Sequence, residues 1–234
     1  MIERAIVLAA GFGKRVLPLT NTTPKPLLKI NNVSLLENTL NFLKKFGVKS
    51  FAINIHHLGE QIISFAEDNK KKYDIKIFKE KDILGTGGGI RNALDFFEDK
   101  PFISINSDTI WSNEYLSPLN NLYKNFTKHN AWSGLLMIKK ENSFDKTLRG
   151  DFTIRSEPFL FRKAGDTNNL IFTGCQIINP ALLKLKVKGN FSIQPVWDEA
   201  INDKKMVGEV SQNIFYHVTD LSIYEKLKKL DLIR

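Results

Sequence analysis

The residues best suited to chemistry are concentrated near the N-terminus, where positions 8–26 read LAAGFGKRVLPLTNTTPKP. Two glycines let backbone amides approach an anion closely, and cationic side chains surround them. Arg15 has a planar fork suited to bidentate phosphate contact, and Lys25 lies between two prolines that reduce the entropy lost when a lysine is held in place. We therefore expect this loop to bind a polyanion such as a triphosphate. On residue chemistry alone, a surface ion pair for Arg15 and an exposed stiff turn for Lys25 remain alternatives.

Two common phosphate-binding patterns do not fit this loop. A dinucleotide fingerprint needs a third glycine, but Val16 occupies that position. A Walker loop needs Gly-Lys followed by serine or threonine, whereas Gly13 and Lys14 lead into Arg15. The sequence therefore predicts a strand-to-loop turn with an anion site of another kind.

A second group of glycines lies in the stretch LGTGGGIRNAL, at 84–94. Gly87, Gly88 and Gly89 stand at the start of a predicted helix, where free amides can closely approach a base or a phosphate. A simple loop-to-helix entry is the alternative.

A carboxylate follows a predicted strand in the stretch ISINSDTIW, at 103–111. Asp108 comes just past the carboxyl end of this strand, where parallel sheets bind ligands, and Asn106 and Ser107 precede it. Carboxylate oxygens suit Mg²⁺, so Asp108 is predicted to be a metal ligand, with a turn cap as the alternative.

Alternating strands and helices must position these residues. The apolar run at 4–9 predicts a buried parallel strand, and Ser34 is a predicted N-cap for a helix that ends at Gly47. Further strands are predicted at 49–55, 74–78, 101–106, 131–138 and 170–178, and helices at 58–69, 87–97, 115–126, 192–202 and 222–233. The polar segment 139–169 could hold small antiparallel strands. We therefore predict an α/β fold with a doubly wound, mostly parallel sheet and a small antiparallel addition.

Composition limits the possible organisation and partners. The 234 residues, without a linker or repeat, suit one domain spanning 1–234. The formal net charge of +9 is spread over short lysine runs without interleaved aromatic residues, so we expect no nucleic-acid binding. Apolar stretches fall short of the roughly 18 residues of a membrane helix, and the single cysteine, Cys175, allows no disulfide framework. We expect a soluble, cytoplasmic protein with no membrane partner.

The first motif resembles the signature of the sugar-1-phosphate nucleotidylyltransferases, LAAGxGxRxxPLTxxxPKP, at every position that defines it. Membership would imply a Rossmann-like nucleotidyltransferase fold. It would also imply a reaction in which a sugar 1-phosphate attacks the α-phosphorus of a nucleoside triphosphate, releasing pyrophosphate and forming a nucleotide sugar. The expected partners are therefore these two small molecules, and the expected cofactor is Mg²⁺, with Mn²⁺ possible.

The resemblance implies a role for each matching residue. Arg15 would hold the β- and γ-phosphates, Lys25 would lie beside the α-phosphate and the sugar phosphate, and Asp108 would carry the metal ion that bridges them. The residues implied to bind the nucleotide are Leu8, Ala9, Ala10, Gly11, Gly13, Lys14, Thr86, Gly87 and Gly88.

The main departure from the family concerns its second metal aspartate, which opens a segment D-[IV]-G-T-P-x-x-Y. The matching run here begins with His217 and contains Asp220. Imidazole is a poorer ligand for Mg²⁺ than carboxylate and suits Mn²⁺ or Zn²⁺ better. His217 could bind a softer metal, Asp220 could replace the aspartate or act as a helix N-cap, or catalysis could be weak.

The segments GTGGGI at 85–90, RGDF at 149–152 and FTGCQIINPALL at 172–183, together with the short length, resemble one branch of the family. That branch transfers uridylyl groups from UTP to N-acetylmuramate 1-phosphate in cell-wall recycling. Arg149 would then contact the lactyl carboxylate, and Asn106, Thr173 and Gly174 would approach the sugar. Guanylyl transfer to mannose or heptose 1-phosphate is one alternative. A catalytically weak relative that binds a nucleotide sugar is another.

Overall fold

The computed structural model describes residues 1–156, 158–162, 168–184, 186 and 188–233. The strands are β1 (Arg4–Leu8), β2 (Lys29–Ile30), β3 (Val33–Ser34), β4 (Ser50–Ile55), β5 (Asp74–Lys79), β6 (Phe102–Asn106), β7 (Thr109–Ile110), β8 (Ser133–Lys139), β9 (Thr153–Ser156), β10 (Phe159–Phe161), β11 (Leu170–Ile178), β12 (Met206–Ser211) and β13 (Tyr216–His217). The α-helices are α1 (Leu35–Phe46), α2 (Gly59–Asp68), α3 (Gly85–Asn92), α4 (Leu116–Lys128), α5 (Ala181–Lys184), α6 (Gln194–Asn202) and α7 (Leu221–Leu227).

A nine-stranded sheet organises the molecule, with the strand order β5-β4-β1-β6-β11-β8-β12-β10-β9. Strands β10 and β11 run antiparallel to the other strands of this sheet. Two small antiparallel sheets, β2/β3 and β7/β13, complete the described strands. The α/β class and the mostly parallel sheet are confirmed, and β9 and β10 lie in the segment predicted to hold small antiparallel strands.

Helices cover both faces of the large sheet, which explains the unbroken apolar character of its central strands. Ala5 and Val7 of β1 pack into the core on the side of α1 and α4, whereas Ile6 points to the opposite core with α3 and α6. A third cluster joins the loop after β1 to the small sheets and α7. The prediction of a doubly wound sheet is therefore confirmed.

Helix α1 begins and ends where its sequence predicts. The Ser34 hydroxyl accepts a hydrogen bond from the amide of Glu37 at 3.1 Å. Gly47 follows the last turn with a φ of 115°, which favours glycine, and its amide donates to the Leu43 carbonyl. The local cap and C-terminal signals were sufficient to fix this helix.

Strand β12 was missed by the sequence analysis, although it pairs in parallel with β8 inside the large sheet. Its sequence MVGEVS is interrupted by a glycine and a glutamate, so it shows no continuous apolar run. A Cβ atom on Gly208 would lie 2.6 Å from the Leu160 side chain, so tertiary packing requires the glycine that weakens the strand signal. Within the described residues, none of the helices has the length and apolar character needed to cross a bilayer.

Candidate active site

A cleft lies at the carboxyl ends of the parallel strands, where open α/β sheets bind ligands. Four adjoining cavities form it, with volumes of about 260, 450, 260 and 280 Å³. Leu8, at the end of β1, lines three of them, and Asn106, at the end of β6, also lines three. The topology therefore brings the separate sequence motifs to one cleft.

The loop after β1 is held in a defined shape by contacts of its own backbone. Gly13 has a φ of 65°, and a Cβ atom there would lie 2.7 Å from the Thr20 side chain. The Thr20 hydroxyl donates to the Gly13 carbonyl at 3.0 Å. The Thr20 carbonyl accepts from His57 Nε2 at 2.9 Å, so this histidine anchors the loop to the end of β4.

The first cavity of about 260 Å³ is surrounded by this loop and the end of β6. The predicted residues that line it are Leu8, Ala9, Gly11, Gly13, Lys14, Arg15, Lys25 and Asp108. Lys14 and Arg15 are exposed at its mouth, whereas the Lys25 side chain is only 12% exposed. Cations and backbone amides around a small concave space are suited to phosphate groups.

Asp108 lies between two potential cations. Its Oδ2 atom is 2.6 Å from Lys25 Nζ, and its Oδ1 atom is 3.2 Å from His217 Nε2. Burial by itself would raise the pKa of Asp108, but the charge of Lys25, the charge of a protonated His217 and the hydrogen bond from Lys25 outweigh it and hold the pKa well below its usual range. Asp108 is therefore a carboxylate at neutral pH.

The small β7/β13 sheet brings His217 to this position. His217 is paired with Thr109, directly after Asp108, and the Val218 amide donates to the Asp108 carbonyl at 2.9 Å. Asp220 instead caps α7, because its Oδ1 atom accepts from the Ile223 amide at 2.9 Å. The histidine, and not the later aspartate, therefore faces Asp108.

The donors at this point fit a divalent cation that completes its coordination elsewhere. Asp108 Oδ1 is buried and has no hydrogen-bond partner of adequate geometry among the described residues, although His217 Nε2 is 3.2 Å away. Two ligands at right angles around a cation, each about 2.1 Å from it, lie about 3.0 Å apart. In the described part of the chain, no group of three or more histidine, cysteine or acidic residues is arranged to hold a metal ion by itself. Substrate phosphates and water would supply the other ligands, as is usual for Mg²⁺.

The second cavity of about 260 Å³ extends from the loop after β1 towards α3, and Ala10, Gly11 and Thr86 line it as predicted. The sequence analysis missed Asn54 and Glu80, which also line this cavity. The only sequence signal for Asn54 and Glu80 was that each is a polar residue at or near the end of a predicted strand.

A hydrogen-bond network around Glu80 holds this second cavity together. Glu80 Oε1 accepts from Asn54 Nδ2 at 2.8 Å, and Oε2 accepts from the Leu84 amide at 3.0 Å. Asn54 Oδ1 in turn accepts from the Ala9 amide at 2.9 Å. The network ties the first loop to the segment before α3, so the two glycine-rich segments have a fixed spacing.

Gly87 and Gly88 lie behind Thr86 and contact the segment before α6. Their amides donate to the Phe191 carbonyl at 3.0 and 3.2 Å, and a Cβ atom on Gly88 would lie 2.0 Å from the Gly189 carbonyl oxygen. Close backbone packing explains why these positions are glycine. Their amides are therefore not free to bind a base or a phosphate, contrary to the prediction from the sequence.

The two remaining cavities lie between β6, β11 and α6. Arg149, Thr173, Gly174 and His217 line the smaller, together with Asn106. The Thr173 hydroxyl is buried and donates to the Leu136 carbonyl at 2.8 Å. Gly174 has a φ of 86°, and a Cβ atom there would lie 2.9 Å from Asn106, so this glycine permits the position of Asn106.

The larger of these cavities contains polar residues that the sequence analysis did not select: Asp151, Arg162, Gln176, Gln194 and Trp197. Trp197 Nε1 donates to Gln176 Oε1 at 2.9 Å. Desolvation by burial raises the pKa of Asp151, partly offset by a hydrogen bond from the Phe172 amide and by the charge of Arg162. Asp151 falls inside the RGDF sequence, which was its only signal.

Comparison with known proteins agrees with this arrangement. The chain is 27% identical over 221 residues to N-acetylmuramate alpha-1-phosphate uridylyltransferase of Caulobacter vibrioides, covering 92% of this chain and 91% of that protein. It is 31% identical over 174 residues to D-glycero-alpha-D-manno-heptose 1-phosphate guanylyltransferase of Campylobacter jejuni, covering 72% and 74%. It spans about half the length, 51%, of some other curated relatives that it matches.

Solved structures share this fold. A putative glucose-1-phosphate thymidylyltransferase from Bacillus anthracis superimposes with a TM-score of 0.80 at 15% identity, covering 99% of this chain and 97% of that one. The pattern of the family described as Nucleotidyl transferase matches residues 4–146, more than half of the chain. The protein therefore belongs to the nucleotidyl transferase family and is an enzyme of the sugar-1-phosphate nucleotidylyltransferase type.

Proposed function

We propose that the protein transfers a uridylyl group from UTP to N-acetylmuramate 1-phosphate, releasing pyrophosphate and forming a nucleotide sugar. The observation that carries the reaction type is the pairing of Lys25 with Asp108 beside the cationic loop cavity, where two phosphorylated substrates can meet. The similarity to the uridylyltransferase of Caulobacter vibrioides over nearly the whole length of both chains supports the choice of substrates.

The mechanism requires positioning and charge stabilisation, without a covalent enzyme intermediate. Arg15, Lys14 and the amides of residues 11–15 bind the β- and γ-phosphates. Lys25 lies beside the α-phosphate and the sugar phosphate. A phosphate oxygen of the sugar substrate forms a bond to the α-phosphorus, the bond from that phosphorus to the bridging oxygen breaks, and pyrophosphate leaves.

Charge on the phosphoryl oxygens increases during this transfer, and the cationic groups of the cavity stabilise it. Asp108 and His217 would hold the divalent cation, Mg²⁺ or Mn²⁺, which supplies further positive charge to the phosphates when bound. The base would lie along Ala10, Gly11 and Thr86 in the second cavity.

The sugar would occupy the cavities at Asn106, Thr173 and Gly174, with Arg149 contacting the lactyl carboxylate. The Arg149→Ala variant should raise the KM for N-acetylmuramate 1-phosphate while leaving the KM for UTP near its original value. An unchanged KM for the muramyl substrate would contradict this role.

Guanylyl transfer to a mannose or heptose 1-phosphate is a second candidate, favoured by Glu80. A carboxylate accepts hydrogen bonds but donates none, and guanine presents two adjacent donors, N1–H and N2–H₂, on its Watson–Crick edge. Uracil presents a single N3–H between two carbonyl oxygens, which a carboxylate would repel. Glu80 lines the proposed base cavity, and the chain is similar to a heptose 1-phosphate guanylyltransferase.

Pyrophosphate release tests these candidates directly. The purified protein is incubated with each of four nucleoside triphosphates and each of three sugar 1-phosphates, with Mg²⁺ and separately with Mn²⁺. Turnover with UTP and N-acetylmuramate 1-phosphate alone supports the first candidate, and turnover with GTP and a mannose or heptose 1-phosphate supports the second. Absence of turnover from folded protein that binds nucleotide would overturn both and indicate a nucleotide-sugar-binding relative.

We also propose that residues 1–234 form one nucleotidyltransferase domain, and that the protein acts in the cytoplasm in cell-wall recycling. The formation of one continuous cleft by motifs from both halves of the chain supports a single domain. Co-purification of the expected nucleotide sugar from the cytoplasmic fraction would test the location.

A further inference from the structure

A buried carboxylate close to the cleft has no role in the reaction described above. Asp145 is 3% exposed, and its Oδ1 atom accepts from the Thr147 amide and hydroxyl at 2.9 and 2.7 Å. Its Oδ2 atom is buried and has no hydrogen-bond partner of adequate geometry among the described residues. A buried charged oxygen without a hydrogen-bond partner is energetically costly, so this oxygen requires an explanation.

The segment that carries Asp145 runs beside the segment that carries His217. Ser143 forms an isolated bridge with Phe215, and the Phe144 amide donates to the Phe215 carbonyl at 3.0 Å. Burial by itself would raise the pKa of Asp145, but the hydrogen bonds from Thr147 and the nearby hydroxyl of Thr219 outweigh it and lower this pKa. Asp145 is therefore an ionised carboxylate beside Thr219.

Two contacts define the orientation of the His217 ring. The ring stacks on Phe215, with 5.5 Å between centroids and 8° between planes. Its Nδ1 atom lies 3.3 Å from Thr219 Oγ1, while its Nε2 atom faces Asp108. Stacking fixes the plane of the ring, and the hydroxyl selects which nitrogen faces Asp108.

The direction of the Thr219 hydroxyl decides where the proton of a neutral ring lies. The hydroxyl can donate its one proton to the His217 carbonyl, 3.4 Å away, or to the carboxylate of Asp145. A charge-assisted bond to a carboxylate is roughly twice as strong as a neutral one, so Asp145 is the preferred acceptor. The hydroxyl oxygen then accepts from a protonated Nδ1, which leaves the Nε2 lone pair directed at Asp108.

We propose that Asp145 and Thr219 are positioning residues that hold His217 with its proton on Nδ1, so that Nε2 and Asp108 Oδ1 together bind a divalent cation. The arrangement replaces the second carboxylate of the family by an imidazole supported by a carboxylate through a hydroxyl. It rests on the proposed function only in assuming that the cation assists the transfer. Carboxylates behind metal-binding histidines commonly fix the tautomer in this way.

The experiment uses the full chain and two measurements that need no turnover. Free Mn²⁺ in a titration is followed by electron paramagnetic resonance, and the tautomer of His217 is read from its two ring nitrogen shifts by long-range ¹H–¹⁵N NMR without metal. Thr219→Val and Asp145→Asn should weaken Mn²⁺ binding about 10- to 100-fold, since loss of such supporting partners typically has this effect. Thr219→Ser, which keeps the hydroxyl, should bind Mn²⁺ like the unaltered protein.

Thr147→Val is the matched control, because it removes a hydrogen bond to Oδ1 of Asp145 and leaves Oδ2 available. It should leave Mn²⁺ affinity unchanged even if it lowers thermal stability. If Asp145→Asn fails to fold, the Mn²⁺ affinity of Thr219→Val and the NMR spectrum of the unaltered protein still test the proposal.

Three results would overturn the proposal: a neutral His217 with its proton on Nε2, Mn²⁺ affinity in Thr219→Val within twofold of the unaltered protein, or no Mn²⁺ binding at all. Each of these is independent of pyrophosphate release. A protein that binds Mn²⁺ as expected but releases no pyrophosphate would contradict the proposed function alone.

Discussion

The Lys25–Asp108 ion pair offers a direct test of how the site is built. Its two charged atoms are 2.6 Å apart, and the side chains are 12% and 20% exposed. Lys25→Met, Asp108→Asn and the double variant remove one charge, the other charge, or both. The three variants form a thermodynamic cycle that separates the contribution of the pair to stability from its contribution to catalysis.

The expected magnitudes follow from this geometry. At 2.6 Å and an effective dielectric constant of about 20, the attraction is about 6 kcal/mol before the loss of hydration is counted. Removing one partner of a buried pair typically costs about 3–5 kcal/mol. Because both side chains keep some exposure, we expect each single variant to lose about 2–3 kcal/mol of unfolding free energy, or about 4–12 °C in Tm.

The double variant should be more stable than the sum of the single losses predicts, by about 2 kcal/mol, because neither charge is left unpaired. Activity should follow a different pattern, with each single variant losing about 10²- to 10³-fold in kcat and the double variant recovering none of it. Urea unfolding measures the stabilities, and pyrophosphate release at saturating substrate measures kcat.

Two outcomes would refute this reasoning. Additive single losses below about 0.5 kcal/mol would mean that the pair behaves like a solvent-exposed salt bridge. Recovery of kcat in the double variant would mean that the two residues act on each other and not on the phosphates. A Lys70→Met variant is the control, because Lys70 forms an exposed ion pair with Glu67 and should change neither quantity.

Three further predictions concern acid stability, a helix cap and a glycine. Since the pKa of Asp108 is lowered on folding, its charge adds stability above its unfolded pKa of about 4, and this stability is lost as the pH falls below that value. Measured by urea unfolding, the unaltered protein should therefore lose more unfolding free energy between pH 6 and pH 3 than the Lys25→Met variant does. Equal losses in the two proteins would contradict the assignment. Ser34→Ala should cost about 1 kcal/mol through loss of the α1 cap, measurable as a lower Tm with unchanged kcat, and a lowered kcat would argue against a purely structural role. Gly174→Ala should lower the unfolding free energy by at least about 1–2 kcal/mol, because alanine is strained at a φ of 86°. The added methyl group should also displace Asn106 and raise the KM for the sugar phosphate. An unchanged KM would count against Asn106 as a sugar contact.

Local sequence signals predicted much of the fold. Helix α1 has its N-cap, its apolar face and its terminal glycine within one short segment, so its limits could be read directly. The strands at 4–9 and 101–106 are buried on both faces and therefore appear as continuous apolar runs. Strand β12 could not be predicted in this way, because two of its residues are set by tertiary contacts. Gly208 packs against β10, and Glu209 accepts hydrogen bonds from asparagines of α4.

The sequence by itself was enough to predict an anion site in the loop after β1, because glycines, prolines and cations lie there within a single stretch of backbone. It also predicted Asp108, since a carboxylate at the end of a buried parallel strand lies at the ligand-binding edge of the sheet. Only the tertiary structure decided what surrounds that carboxylate. Lys25 and His217 are distant along the chain and meet at Asp108 because the loop after β1, the end of β6 and the β7/β13 pair converge. Contacts between distant segments depend on strand order and register, which no local pattern of residues specifies.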